Sequence, residues 1–127
     1  MLDLNPLVSI SHEIREWITM IQGSRTAHEQ SVQAALQSLN EAVLQTRFYL
    51  SQLGTRNLEK ERELADLWSR ASLDLRSVNP ELSDRCFAKA DYWADPTTWD
   101  LQRRQRYNIT LDSMSDAVRE LLSRNQR

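Results

Sequence analysis

Apolar residues recur every three or four positions over five stretches of the chain, and glycine or proline separates most of these stretches. This spacing collects apolar side chains on one face of an α-helix, so it predicts five amphipathic helices. We place them at residues 6–22, 26–53, 57–78, 80–93 and 96–124. The last segment contains Asn108, Ile109 and Thr110, whose weak helix propensity predicts a kink or a break there.

Each of the three prolines follows a residue that can cap a helix, in the pairs Asn5-Pro6, Asn79-Pro80 and Asp95-Pro96. A side-chain oxygen at the N-cap accepts a hydrogen bond from a backbone N–H of the first turn. Proline at the first helical position loses nothing, because its missing N–H has no helical partner there. The three pairs therefore predict the starts of the first, fourth and fifth helices.

The second and third helices have other start signals. Thr26 and Glu29 have the spacing of a capping box, in which each side chain bonds to the other residue's backbone. Either Thr55 or Asn57 is placed to cap the third helix. Gly54, just before them, suits the left-handed conformation that closes the preceding helix.

Short connections between these helices favour antiparallel packing of neighbours. We therefore predict one all-α domain over residues 1–127, an up-and-down bundle of four to five helices. A chain of 127 residues can bury a core without a metal or a disulfide. The predicted core consists of Ile10, Ile14, Trp17, Ile21, Leu36, Leu39, Val43, Leu50, Leu64, Trp68, Leu75, Val118 and Leu121. The fourth helix adds a stripe of Leu82, Cys86, Ala90 and Trp93.

Composition predicts a cytoplasmic protein without a membrane segment. No window approaches the roughly 18 consecutive apolar residues of a membrane span, and the start of the sequence lacks the pattern of a signal peptide. The single cysteine, Cys86, cannot form an internal disulfide or a multi-thiolate zinc site. Its place on an apolar stripe predicts burial rather than a nucleophilic role.

The signals for catalysis are weak, so we expect no cofactor and no metal, and the sequence leans away from an enzyme. His12 and Glu16 share a helical face four residues apart, but His28 is the only other histidine. Two isolated glycines exclude a glycine-rich phosphate loop. Small helical nucleases carry Arg four to six residues before His, a spacing that this chain lacks.

Arg103, Arg104 and Arg106 form a basic group between Trp99 and Tyr107. Arginine next to aromatic residues has the chemistry for phosphate contact and base stacking, which suggests binding to nucleic acid. The net charge of the chain is −2, however, so it lacks the broad positive field that drives such binding.

Segment 91–100 is the best candidate for partner contact, because aromatic residues and arginines dominate binding hot spots. For Trp93 and Trp99 we favour a structural role: Trp93 continues an apolar stripe, and Trp99 would close over Ala94 from the first turn of the fifth helix. The predicted partner-binding residues are Tyr92, Trp93, Trp99, Arg103, Arg104 and Arg106.

These observations predict a non-enzymatic helical module that binds a protein partner of unknown identity. The alternative is a nucleic-acid-binding accessory protein that uses the basic group, and a small helical enzyme such as a nuclease is third. The second predicted helix is much longer than the first, so its stripe extends beyond that neighbour. We therefore also expect self-association, as a homodimer, through the second or the fifth helix.

Overall fold

The structure, a computed structural model, describes residues 27–52 and 54–125. Within these ranges the protein is all-α, as predicted, and contains no strand. The helices are α1 (Ala27–Ser51), α2 (Leu58–Leu75), α3 (Pro80–Ala94), a short 3₁₀ helix (Pro96–Thr98), α4 (Leu101–Arg106) and α5 (Leu111–Asn125). The predicted helix 6–22 with its four core residues, the Asn5-Pro6 start and the capping residue Thr26 lie outside the described residues.

Contacts between their ends show that α1 and α2 are antiparallel. Tyr49, near the end of α1, donates a hydrogen bond to Glu61 at the start of α2. Ser38, more than two turns earlier in α1, bonds to Asp74 near the end of α2. The six residues between the helices are too few for any other arrangement of close neighbours.

α3 returns along α2, and α5 contacts α3 through Arg85. The hydroxyl of Ser72 donates to the backbone oxygen of Ser83 at 2.9 Å, close to the turn that joins α2 to α3. Arg85 in α3 donates to the backbone oxygen of Ser113 in α5. α5 also packs on α1, where Arg47 and Asp112 form an ion pair of 3.6 Å. The four long helices therefore form a bundle.

One apolar cluster from these four helices forms the core. Every described residue of the predicted core is buried except Leu50, which is 54% exposed. Leu50 lies in the last turn of α1, past the contact of Tyr49 with the start of α2, and none of the described helices covers it. Leu58, at the first position of α2, is also exposed.

Two of the predicted helix starts are confirmed by hydrogen bonds. Asn57 caps α2 by accepting from the backbone N–H of Lys60 at 3.0 Å. Asn79 caps α3 by accepting from the backbone N–H of Leu82 at 3.1 Å, with proline at the first helical position. Gly54, in the connection before α2, has a φ of 139°, which favours glycine.

The predicted helix 96–124 is wrong as one element. Pro96 begins only a 3₁₀ turn, and the Asp95 side chain makes no cap bond there. The cap is Asp100, which accepts from the backbone N–H of Arg103 at 2.7 Å and starts α4. The predicted break is confirmed at Asn108, which has a φ of 60°.

Candidate functional site

Five aromatic side chains form a continuous row, here called the aromatic row, from the end of α1 to the end of α4. Each ring meets the next edge to face, with centroids 4.9 to 6.5 Å apart. This geometry places the positive edge of one ring against the negative face of its neighbour. The members, in order, are Tyr49, Trp93, Tyr92, Trp99 and Tyr107.

Three cations lie over rings of this row. The guanidinium carbon of Arg103 is 3.9 Å from the centroid of Trp99. The guanidinium carbon of Arg104 is 5.3 Å from the centroid of Tyr92, and the ammonium of Lys89 is 5.1 Å from that same ring. The ring faces carry partial negative charge, so they attract all three cations. The aromatic row therefore fixes a group of positive charges.

Lys89 is the most buried of these cations, at 3% exposed. Its ammonium also lies 5.9 Å from the ring of Trp68 and 6.0 Å from that of Trp93. In the described part of the chain, no carboxylate or hydrogen-bond acceptor contacts this ammonium. Burial and, second to it, the charge of Arg104 lower the pKa of Lys89 to about 8.

Sequence reasoning missed Lys89, although its position carried a signal. It lies three residues after Cys86 and four before Trp93, the spacing of the buried face of α3. A lysine on an apolar face ordinarily extends its ammonium to water. Here the Trp68 ring of α2 joins the Tyr92 and Trp93 rings of α3 itself around the ammonium, and only tertiary packing decides the position of the first.

The three predicted arginines all lie on α4, but their surroundings differ. Arg103 is half-buried and donates to the backbone oxygen of Thr98 at 3.0 Å. Arg104 is half-buried and donates to the backbone oxygen of Asp100 at 3.4 Å. Arg106 is exposed. The first two are thus held against the aromatic row.

Trp93 and Trp99 lie beneath the surface that the arginines form, and both are buried. The indole N–H of Trp99 donates to the Asp91 carboxylate at 3.3 Å. The predicted position of Trp99 in the first turn of a helix is wrong, because Trp99 is extended and precedes the cap of α4. Both tryptophans support the surface and offer little area to a partner.

A second buried charge lies at the other end of the row. Glu61, 4% exposed, accepts two hydrogen bonds from Arg56, at 2.6 and 3.0 Å, and a third from the hydroxyl of Tyr49. The bonds from Arg56 hold the pKa of Glu61 below its usual value. Burial and the bond to Glu61 raise the pKa of Tyr49. These three residues, here called the Glu61 network, line a cleft of about 510 Å³.

Cys86 is fully buried, as predicted, and burial raises its pKa to about 12. The thiol therefore stays neutral at physiological pH, which argues against a nucleophilic role. Within 27–52 and 54–125, no three side chains of His, Cys, Asp or Glu are grouped to hold a metal ion. The predicted pair His12 and Glu16 lies outside those ranges. No helix in the described part is long and apolar enough to cross a membrane.

We compared the whole chain with models of protein families, with curated proteins and with solved structures. None of the three comparisons found a match. The geometry of this chain is therefore the basis for identifying its functional residues, and the aromatic row with its cations is the best candidate site.

Proposed function

We propose that the protein is a non-enzymatic helical module that binds a protein partner at a surface centred on α4. We call this surface the arginine surface. The observation that carries the proposal is that α4 is fixed in place and yet buries none of its residues. The arginine surface consists of Tyr92, Leu101, Arg103, Arg104, Arg106 and Tyr107.

A helix of six residues does not form stably by itself in water. Here the Asp100 cap, the stacking of Arg103 on Trp99 and the bond from Arg103 to Thr98 hold it. The break that follows is held by Arg85, whose Nε donates to the backbone oxygen of Asn108 at 3.0 Å. These bonds position α4 although it contributes nothing to the core, which supports a role on the outside.

Two apolar side chains of this surface are exposed: Leu101 by 54% and Tyr107 by 50%. Together with arginines, they form the mixture of apolar and cationic groups that is enriched in protein interfaces. Because Arg103 and Arg104 are already stacked on rings, they lose less conformational freedom on binding than free arginines would. The arginine surface is thus preorganised for a partner.

Nucleic-acid binding through Arg103, Arg104 and Arg106 is the alternative. The stacking of two arginines on aromatic rings also fits phosphate and base contact. The overall charge of −2 disfavours this alternative, because the chain lacks the broad positive field that attracts the phosphates of a nucleic acid. The cytoplasmic location and the association of two copies remain predictions, and light scattering over a range of concentrations tests the second.

The decisive experiment is affinity purification of partners, identified by mass spectrometry, with the native protein and two double variants. Arg103→Glu/Arg104→Glu reverses charge on the arginine surface. Arg62→Glu/Arg70→Glu makes the same change at exposed positions of α2 and is the matched control. We expect the control to retain the partner and the first variant to lose it, with melting temperatures close to that of the native protein.

Retention of every partner by the Arg103→Glu/Arg104→Glu variant would overturn the assignment of this surface. Binding to random DNA or RNA is measured in parallel at several salt concentrations. A steep loss of that binding with salt, abolished by the same variant, would favour the alternative function.

A further inference from the structure

We propose that Lys89 and Arg104 form a binding site for a single carboxylate, which an acidic segment of the protein partner supplies. This inference rests on the proposed function, because it assigns a chemistry to the inner edge of the arginine surface. The probe and the measurements below are chosen so that the two proposals can fail separately.

The first observation is the unpaired charge of Lys89. An ammonium has three hydrogen-bond donors, and among the described residues none of the three finds an acceptor. The rings of Trp68, Tyr92 and Trp93 compensate only part of the cost of removing this charge from water. Lys60, the other lysine, pairs with Glu63 at 3.4 Å and shows what Lys89 lacks.

The second observation is a like charge beside it. Arg104 lies over the same Tyr92 ring as Lys89 and forms no ion pair within the described part of the chain. Among the described residues its guanidinium makes one hydrogen bond, the long one to the backbone oxygen of Asp100. Two cations beside the same ring repel each other, and an anion bound next to them would offset this repulsion by attracting both.

The nearby acidic side chains are already engaged elsewhere. Asp91 accepts from the indole of Trp99, Asp95 accepts from Thr97, and Asp100 caps α4. None of them forms an ion pair with Lys89 or Arg104 in the described structure. Within 27–52 and 54–125, therefore, no acidic side chain supplies an anion to this site.

The burial of Lys89 favours a carboxylate over a nucleic-acid phosphate. A phosphodiester carries its charge on a bulky backbone and binds exposed cations. A carboxylate on a flexible side chain is planar and small, and both a guanidinium and an ammonium donate charge-assisted hydrogen bonds to it. We therefore assign the ligand as an Asp or Glu side chain of a partner.

The experiment uses the full chain and a hexaglutamate peptide with blocked ends; a hexaglutamine peptide is the control. The chain has only two lysines, Lys60 and Lys89, so NMR of isotope-labelled lysine side chains follows each of them separately. We expect hexaglutamate to raise the pKa of Lys89 from about 8 toward the ordinary value of 10.5 and to leave Lys60 unchanged. Hexaglutamine should change neither.

Variants test the same site through affinity. Lys89→Met and Arg104→Gln should each weaken hexaglutamate binding about tenfold, the loss expected for one charge-assisted hydrogen bond. Lys60→Met is the matched control and should bind like the native chain. The titration of the native protein stays informative even if a variant fails to fold.

Two results would overturn the proposal. One is hexaglutamate that fails to bind at low salt, or that binds without moving the Lys89 titration. The other is a Lys89 shift caused by inorganic phosphate or a single-stranded oligonucleotide but not by hexaglutamate, which would assign a phosphate ligand instead. If partner capture still depends on Arg103 and Arg104 while Lys89→Met has no effect, the carboxylate site fails and the proposed function stands.

Discussion

Glu61 in α2 and Lys89 in α3 are almost equally buried, at 4% and 3% exposed, but their surroundings are opposite. Glu61 accepts hydrogen bonds from Arg56 and Tyr49, so its charge is compensated within the chain. Lys89 faces aromatic rings and the like charge of Arg104. Trp93 connects the two regions, since its ring meets Tyr49 on one side and Lys89 on the other.

The pKa values of the two groups express this difference. The pKa of Glu61 is lowered, so the folded protein favours its charged form. The pKa of Lys89 is also lowered, to about 8, so the folded protein disfavours its charged form. The carboxylate therefore stabilises the fold, whereas the ammonium destabilises it at neutral pH. An internal partner indicates a structural role for Glu61, whereas the lack of an anion among the described residues makes Lys89 the better candidate for binding.

The largest expected effect is that of Trp93→Ala, which removes the ring shared by both regions. Loss of a buried tryptophan should lower the free energy of unfolding by about 3–5 kcal/mol, as measured by urea denaturation. Opening the surroundings of Lys89 to water should also raise its pKa. Phe87→Ala, at an exposed position of α3, is the control and should change stability by less than about 0.5 kcal/mol. A native-like pKa of Lys89 in a folded Trp93→Ala protein would contradict the role of the ring.

Lys89→Met should stabilise the protein, because it removes a buried charge that has no counter-ion. We expect a gain of about 1–3 kcal/mol in the free energy of unfolding at pH 7. The shift in the pKa of Lys89 sets the upper size of this gain, and the loss of the contacts between the ammonium and the rings reduces it. Between about pH 8 and 10.5 Lys89 is protonated in the unfolded chain and mostly neutral in the folded one. The stability of the unsubstituted protein therefore rises with pH over that range. The variant should lack this rise. Lys60→Met should keep it, and a loss of stability in Lys89→Met would reverse the comparison.

Glu61→Gln should have the opposite sign. It removes the charge that Arg56 and Tyr49 bond to, and we expect a loss of about 1–2 kcal/mol, kept modest because the Arg56 side chain is 52% exposed. The folded-state pKa of Glu61 lies below the ordinary value of 4.5, so its stabilisation is complete above that value and disappears as the pH falls through the folded-state pKa.

Thermal melts of the native protein and of Glu61→Gln test this acid dependence between pH 2 and 7, a range that includes the titration of carboxylates. Glu63→Gln changes an exposed carboxylate in the same helix and is the matched control. Identical acid dependence of all three proteins would show that Glu61 contributes no charge-dependent stability.

The smallest effect on stability is expected for Arg104→Glu, since an exposed cation–ring contact contributes about 0.5–1 kcal/mol. The substitution replaces a repelling charge beside Lys89 with an attracting one. NMR titration should therefore show a higher pKa for Lys89, and Arg106→Glu, exposed on the same helix, should leave it nearly unchanged. An equal shift in both variants would mean that Lys89 responds to net charge and not to its neighbour.

Helix spacing and capping chemistry in the sequence determined most of the bundle. The stripe of Leu82, Cys86, Ala90 and Trp93 is buried as predicted, because the number of residues per helical turn decides which residues share a face of the helix. Asn57 and Asn79 cap as predicted, because a cap bond spans only three residues of the same segment. Local signals of this kind need no knowledge of the neighbouring helices.

Tertiary structure decided where local signals were ambiguous or depended on a neighbour. Asp95 and Asp100 both precede plausible helices, and only Asp100 caps one, while Trp99 packs between them into the aromatic row. The role of Glu61 was likewise hidden, because Tyr49 approaches it from another helix. Lys89 has the spacing of the buried face of α3 from Cys86 and Trp93, but this spacing alone did not reveal its surroundings. Only the packing of α2 on α3 brought the Trp68 ring to its ammonium, beside the Tyr92 and Trp93 rings of α3 and without a carboxylate among the described residues. The cost of a buried charge depends on every group around it.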